Sequence, residues 1–438
     1  MNLLTDNIRK IYYKYLLASM GSAVVTSIYS IVDTIAVGQS QGPDGTAAMA
    51  VITPVWSLTV FFGLLSGIGG AVLMSKEKGS DNEHEGNNFF SVALIAMLGL
   101  TAILWVLFTF FKRNLFFLFG ANEEIMPLVL EYANWIVAFF PVFLLSPFIS
   151  AFIRNDDAPN LAMTAVIVGA VFNMFGDWFL VFPMNMGMAG AALATVLGNA
   201  IQLVILCSHF LSKSCKLKFV KPRNFSGNVI KIFLTGSSSG LLELANAILI
   251  SLFNYKIMKY AGSATLAVFG VICTCASLFQ ALFCGVGQAA QPIISTNYGA
   301  GQNDRIHKTF RMSVATVVII GIIFALLGFL APNILVKLFM DATPEVLEIA
   351  PSVIRIYFSS FLLMGINVLS MYYFQSIMQT RISLAISLLR GIAISGLLIN
   401  VLPAFLGITG IWWTMPITEV VIAIMAIFFM KRHKISVH

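Results

Sequence analysis

The sequence predicts an all-α membrane protein with 12 transmembrane helices in two six-helix bundles, related by a pseudo-two-fold axis along the membrane normal. Composition, the spacing of apolar runs and an internal repeat each point that way. Of the 438 residues, 58% are hydrophobic and only 10% are charged, and the mean hydropathy is +0.90. A soluble domain needs about a quarter charged residues to cover its surface, so lipid must be the solvent here. One span takes about 20 apolar residues, which leaves room for about a dozen with short loops.

Apolar runs bounded by charges or by Gly and Pro turns place the first six spans at 11–38, 46–73, 88–111, 126–153, 161–182 and 188–211. The second six fall at 228–258, 263–294, 308–330, 345–378, 381–405 and 409–431. Several exceed the minimum, as tilted or kinked helices do. Pro54, Pro141, Pro147, Pro292 and Pro351 lie inside spans and mark bends. The run after Lys14 continues to about Gly38 without a small-x-small cleavage pattern, so it reads as a first helix that stays.

Orientation follows from Lys and Arg. With the N-terminus in the cytoplasm, inner segments carry 19 of them and outer segments five (Lys112, Arg113, Lys256, Lys259 and Lys337). The count includes Lys434 and leaves Arg355 and Arg390 inside spans. Both termini are therefore expected inside. The net charge of +7 resides in loops rather than in a basic, aromatic-interleaved stripe, which argues against a nucleic-acid partner.

The longest inner connection is also the most basic, and it divides the chain into residues 1–211, a linker 212–227 and residues 228–438. Gly45-Thr-Ala-Ala-Met-Ala-Val51 matches Gly262-Ser-Ala-Thr-Leu-Ala-Val268, and Gly67-Ile-Gly69 matches Gly285-Val-Gly287, at separations of 217 and 218 residues. Six spans per copy is an even number, so both copies cross the membrane in the same sense. Two such halves can rock about a central cavity, which is the plan of a carrier. An old duplication in a channel or a membrane enzyme is the other reading.

Ionisable side chains inside spans are costly and need a reason. Asp33 in the first span and Asp177 in the fifth each sit about five residues, roughly 7.5 Å, from the outer end. They could share one depth in the first bundle. Asn173 is one turn from Asp177 on the same face. Two carboxylates and an amide suit binding of a proton or Na⁺; a pair of rim residues bonded to backbone is the plainer alternative. Glu243, with Asn246 one turn on, breaks the repeat in the seventh span. It reads either as a cation or cationic-substrate site or as a neutral Glu bonded within its bundle. Arg390 and Glu419, on adjacent helices at depths of roughly 13 and 18 Å, are expected to form a structural ion pair. Arg355 is expected to pair with Glu348 or to reach a cavity.

Five cysteines (Cys207, Cys215, Cys273, Cys275 and Cys284) show no metal spacing and read as small core residues. Five histidines (His84, His209, His307, His433 and His438) fall in loops or at helix ends, so no metal site is expected. There is no phosphate-binding glycine loop and no nucleophile–base set, which points away from ATP hydrolysis and from an enzyme. No cofactor is expected beyond H⁺ or Na⁺ as a coupling ion.

Certain segments resemble the multidrug and toxin extrusion (MATE) family. Ile31-Val-Asp-Thr-Ile-Ala-Val-Gly38 resembles its first-helix signature. Asn173-Met-Phe-Gly-Asp177, Gly187-Met-Ala-Gly-Ala-Ala-Leu-Ala-Thr195 and Gln291-Pro-Ile-Ile-Ser-Thr-Asn-Tyr-Gly-Ala-Gly301 resemble its later motifs. Length and loops look closest to the bacterial MepA-like or DinF-like branches. The resemblance implies a V-shaped, two-lobed, monomeric exporter in the plasma (bacterial inner) membrane. It implies small cationic or amphipathic substrates, coupled to H⁺ or Na⁺ influx. By position, Asp33 and Asp177 match the family's N-lobe coupling carboxylates, and Glu243 matches the seventh-helix acid of the NorM-like branch. Two departures are visible: Gln379-Thr-Arg381 stands where that branch has an acid, and the first helix has no proline. A flippase of lipid-linked intermediates on a related helical plan is the alternative.

Overall fold

The computed structural model describes residues 2–339 and 343–432; His433, Lys434 and His438 lie outside them. Among the described residues the fold is helical, with 11 helices long and apolar enough to span, or 12 when one bent pair counts as a single span. In chain order they are α1 (Ile8–Gly42), α2 (Asp44–Gly79), α3 (Glu83–Leu118), α4 (Met126–Ala138 plus Phe140–Asn155), α5 (Pro159–Val181) and α6 (Gly187–Leu211). The second set is α7 (Phe225–Gly262), α8 (Ala264–Gly299), α9 (Asn303–Leu330), α10 (Pro344–Ser376), α11 (Thr380–Leu406) and α12 (Ile408–Arg432). A short helix, Pro332–Phe339, follows α9.

Most helices run past the ends expected from hydropathy. The 38-residue α7 is roughly 57 Å long, against a hydrocarbon core of about 30 Å. Lys256 and Lys259, expected in an outer loop, therefore sit on its last turns. The α1–α2 and α7–α8 hairpins turn on one residue each, Gly42 at φ 64° and Gly262 at φ 76°. Left-handed backbone of this kind is open to glycine at little cost. The sequence repeat aligns Gly45 with Gly262, yet the first turn falls on Gly42, about one helical turn earlier. In α4 the two segments meet at 56°, where Pro141 is the second residue of the second segment and cannot donate to the preceding turn.

The first six helices pack on one another, the last six do likewise, and the halves meet chiefly through α1 and α2 against α7 and α8. A β-carbon at Gly69, Gly79, Gly236 or Gly299 would strike a backbone carbonyl of the opposite half, at Ile232, Thr296, Leu65 and Lys76 respectively. Small residues let membrane helices approach this closely. All four contacts lie at the end of the bundle where the chain begins, here called the basic end.

The linker is fastened to the first half. Asn87 Oδ1 accepts from the Lys218 amide at 3.0 Å, Asn88 Oδ1 from Arg223 at 2.9 Å and Ser91 Oγ from Val220 at 2.9 Å. Side chains at the start of α3 thus satisfy backbone amides of a segment that is neither helix nor strand.

Candidate functional site

Buried ionisable groups come together within the membrane-spanning part of each half, and a cavity lies between the halves. In the first half, Asp33 on α1 and Asp177 on α5 are both buried and lie within electrostatic reach of each other, with Tyr132 of α4 beside them. Asp177 opens a π-turn, Asp177–Val181, at the end of α5; such a turn re-aims a side chain and is common at functional sites. Asn173 donates to Thr195 Oγ1 of α6 at 3.2 Å. Asp33 Oδ1, both Asp177 carboxylate oxygens, Asn173 Oδ1 and the Tyr132 hydroxyl are then left buried with no hydrogen-bond partner among the described residues. Buried polar atoms are almost always partnered, and a buried charge without a partner is costly. Buried acceptors of this kind in one neighbourhood fit a proton held between the two acids, or a small hard cation such as Na⁺.

In the second half, Arg390 Nε and a second guanidinium nitrogen meet Glu419 Oε1 at 2.9 and 2.8 Å. Asn367 Nδ2 donates to Glu419 Oε2 at 2.6 Å and to the Glu419 carbonyl at 2.8 Å. Arg390 also sits in a π-turn, Leu389–Ala393. The pair is buried, and Asn367 Oδ1 is left without a hydrogen-bond partner among the described residues.

The cavity between the halves has a volume of about 380 Å³ and is lined by α1, α2, α4, α5, α6, α7 and α8, with Glu243 and Asn246 on the α7 wall. Tyr29, which lines it, is one turn before Asp33 on α1. Cavity and carboxylate pocket therefore share a helix. At the basic end Arg154 of α4 bonds to Gln288 of α8 across the gap.

Some placements differ from expectation. Among the described residues Arg355 forms no ion pair with Glu348. It donates to the Phe329 carbonyl at 3.1 Å and lies 5.3 Å over the Phe329 ring, at the end of α9. Tyr132, Thr195 and Asn367 were missed, since a search for ionisable residues in apolar runs passes over them.

The structure also gathers Asp156, His209 and Cys215 within 4.8 Å, from three separate segments. Asp156 accepts from Lys78 Nζ at 2.7 Å, the Lys216 amide at 2.8 Å and His209 Nε2 at 2.9 Å. Burial pushes this carboxyl up, but the His209 and Lys78 contacts outweigh it and hold it at about 2. With its oxygens committed, the cluster is a clasp joining the α4–α5 turn to α6 and the linker.

The MatE family model matches residues 18–179 and 241–406, on both halves and across Asp33, Asp177, Glu243 and Arg390. The chain belongs to the MatE family. Like the MATE-family multidrug transporters it resembles, this MatE chain is not an enzyme. It is 23% identical to the multidrug export protein MepA of Staphylococcus saprophyticus, over 95% of this chain and 93% of that protein. It is 23% identical to MepA of Staphylococcus haemolyticus, over 99% and 96%. Among solved structures, a multidrug-resistance MATE transporter of the MOP superfamily in an outward-facing conformation superposes with a TM-score of 0.89 at 22% identity, covering 99% of this chain and 97% of that one. That likeness establishes the fold: a MatE bundle of two six-helix halves in a multi-pass membrane protein.

Proposed function

We propose that this protein exports small cationic or amphipathic compounds by alternating access, driven by influx of H⁺ or Na⁺. Residues 1–211 and 228–438 are the rocking lobes, 212–227 is the cytoplasmic linker, and both termini lie on the cytoplasmic side of a bacterial plasma membrane. The chain works as a monomer. The names of the MepA relatives supply the substrate class, and the 19-to-5 charge bias supplies the orientation.

The observation that carries the coupling scheme is the set of partnerless oxygens at Asp33, Asp177, Asn173 and Tyr132. A cation or proton taken up there relieves their burial and changes how α1 packs. Tyr29 passes that change to the cavity. Each ligand must favour one of the two states, or no cycle turns. In the present state the lobes meet at the basic end, so the cavity faces outward. Asp33→Asn should remove gradient-driven efflux from proteoliposomes while leaving the protein folded by size exclusion. Efflux at the wild-type rate in that variant would take Asp33 out of the mechanism. Comparing reconstituted transport of an organic cation with that of a lipid-linked sugar separates export from the flippase reading.

A further inference from the structure

We propose that the cavity between the lobes is built for amphoteric solutes, with an anionic group held by Arg154 and a cationic group directed toward Glu243. The proposal deepens the export reading and rests on it.

Arg154 and Glu243 both line the cavity, on α4 and α7. Arg154 bonds to Gln288 but forms no ion pair among the described residues. A neutral amide oxygen engages only part of a guanidinium that carries five N–H donors. Glu243 makes neither an ion pair nor a hydrogen bond among the described residues. The two face one cavity, and the Tyr372 hydroxyl lies 3.5 Å from Nε2 of Gln288, the residue that Arg154 bonds. Opposite charges thus share one neighbourhood without cancelling each other, whereas Arg390 and Glu419 cancel at 2.8 Å.

The two charges select together. A solute bearing only positive charge gains from Glu243 and is repelled by Arg154. A solute bearing only negative charge meets the reverse. A molecule with both satisfies both walls, and the guanidinium fork suits a carboxylate. Trp56 and Phe143 meet edge-to-face at 4.9 Å, and Trp56 and Phe143 line the cavity, giving an aromatic body a surface to lie on. The volume of about 380 Å³ is that of a small-molecule site.

The test uses purified full-length protein and three fluorescent probes: Nα-dansyl-lysine, its methyl ester and its Nε-acetyl derivative. They are amphoteric, cationic and anionic respectively. Wild type should bind dansyl-lysine about tenfold or more tighter than either derivative, the scale of one charge-assisted contact. Arg154→Gln should bring dansyl-lysine down to the ester's affinity, and Glu243→Gln should bring it down to that of the acetyl derivative. Arg154→Lys should keep part of the preference. Gln288→Ala removes the cross-lobe bond but not the charge, and should keep the ratio of dansyl-lysine to ester. Equal binding of dansyl-lysine and ester by wild type overturns the proposal, as does no binding of any probe, or an unchanged ratio in Arg154→Gln. Selective binding with no gradient-driven flux of dansyl-lysine in proteoliposomes overturns export instead and leaves the site standing. Gradient-driven flux of the ester at the rate of dansyl-lysine leaves export standing and removes the amphoteric preference.

Discussion

The carboxylate pocket of the first half and the ion pair of the second occupy related scaffolds and have opposite chemistry. Each draws on the fifth helix of its half, and each places its ionisable residue in a π-turn: Asp177 in 177–181 and Arg390 in 389–393. In the first, two acids and an amide carbonyl lie buried with no cationic partner among the described residues, and the nearby Tyr132 hydroxyl is the one donor beside Asp33. In the second, Arg390, Glu419 and Asn367 meet one another's main needs. Duplication supplied one frame twice. Under the proposed coupling scheme the first copy takes up a cation or proton. The second is already neutral, and its role is to hold α10, α11 and α12 in register.

That contrast predicts unequal responses to mutation. Glu419→Gln should cost about 3–5 kcal/mol, because it strands the buried Arg390; thermal unfolding in detergent reads this. The paired replacement Arg390→Met with Glu419→Leu should be near neutral or stabilising, since both desolvated charges go together. A loss in the double variant as large as in the single one would show that the pair does more than cancel charge.

The Asp156 clasp, outside the membrane, behaves as a paired site titrated from solution. Its carboxyl sits at about 2 rather than 3.8. A lowered folded value means the stability is present above 3.8 and is lost as pH falls through about 2. The loss should amount to roughly 2 kcal/mol, and Asp156→Asn should show less of it in a pH series of unfolding midpoints. Asn367→Ala should cost about 1–3 kcal/mol, since it leaves Glu419 Oε2 short of a donor.

The smallest effect is expected at the unpaired site. Asp177→Asn should move stability by less than about 1 kcal/mol, and upward, because a neutral amide costs less to bury than a partnerless carboxylate. A large destabilisation there would erase the distinction between the two pockets.

The sequence alone determined the helix count, the duplication and which ionisable residues lie in the membrane. Hydropathy adds up along the chain, and a charge inside an apolar run stands out whatever the fold. Residue identities also carried the family resemblance, motif by motif. Partnership was decided only by the tertiary structure. Tyr132, Thr195 and Asn367 are ordinary polar residues in their own helices, and they matter because a neighbouring helix brings a carboxylate or an amide alongside. Arg355 turned to a backbone carbonyl of α9 for the same reason. The Asp156 clasp and the Asn87–Asn88–Ser91 fastening of the linker join segments far apart in sequence. Whether a buried charge is cancelled or left open depends on which helix faces it and at what height, and no local pattern of residues encodes that.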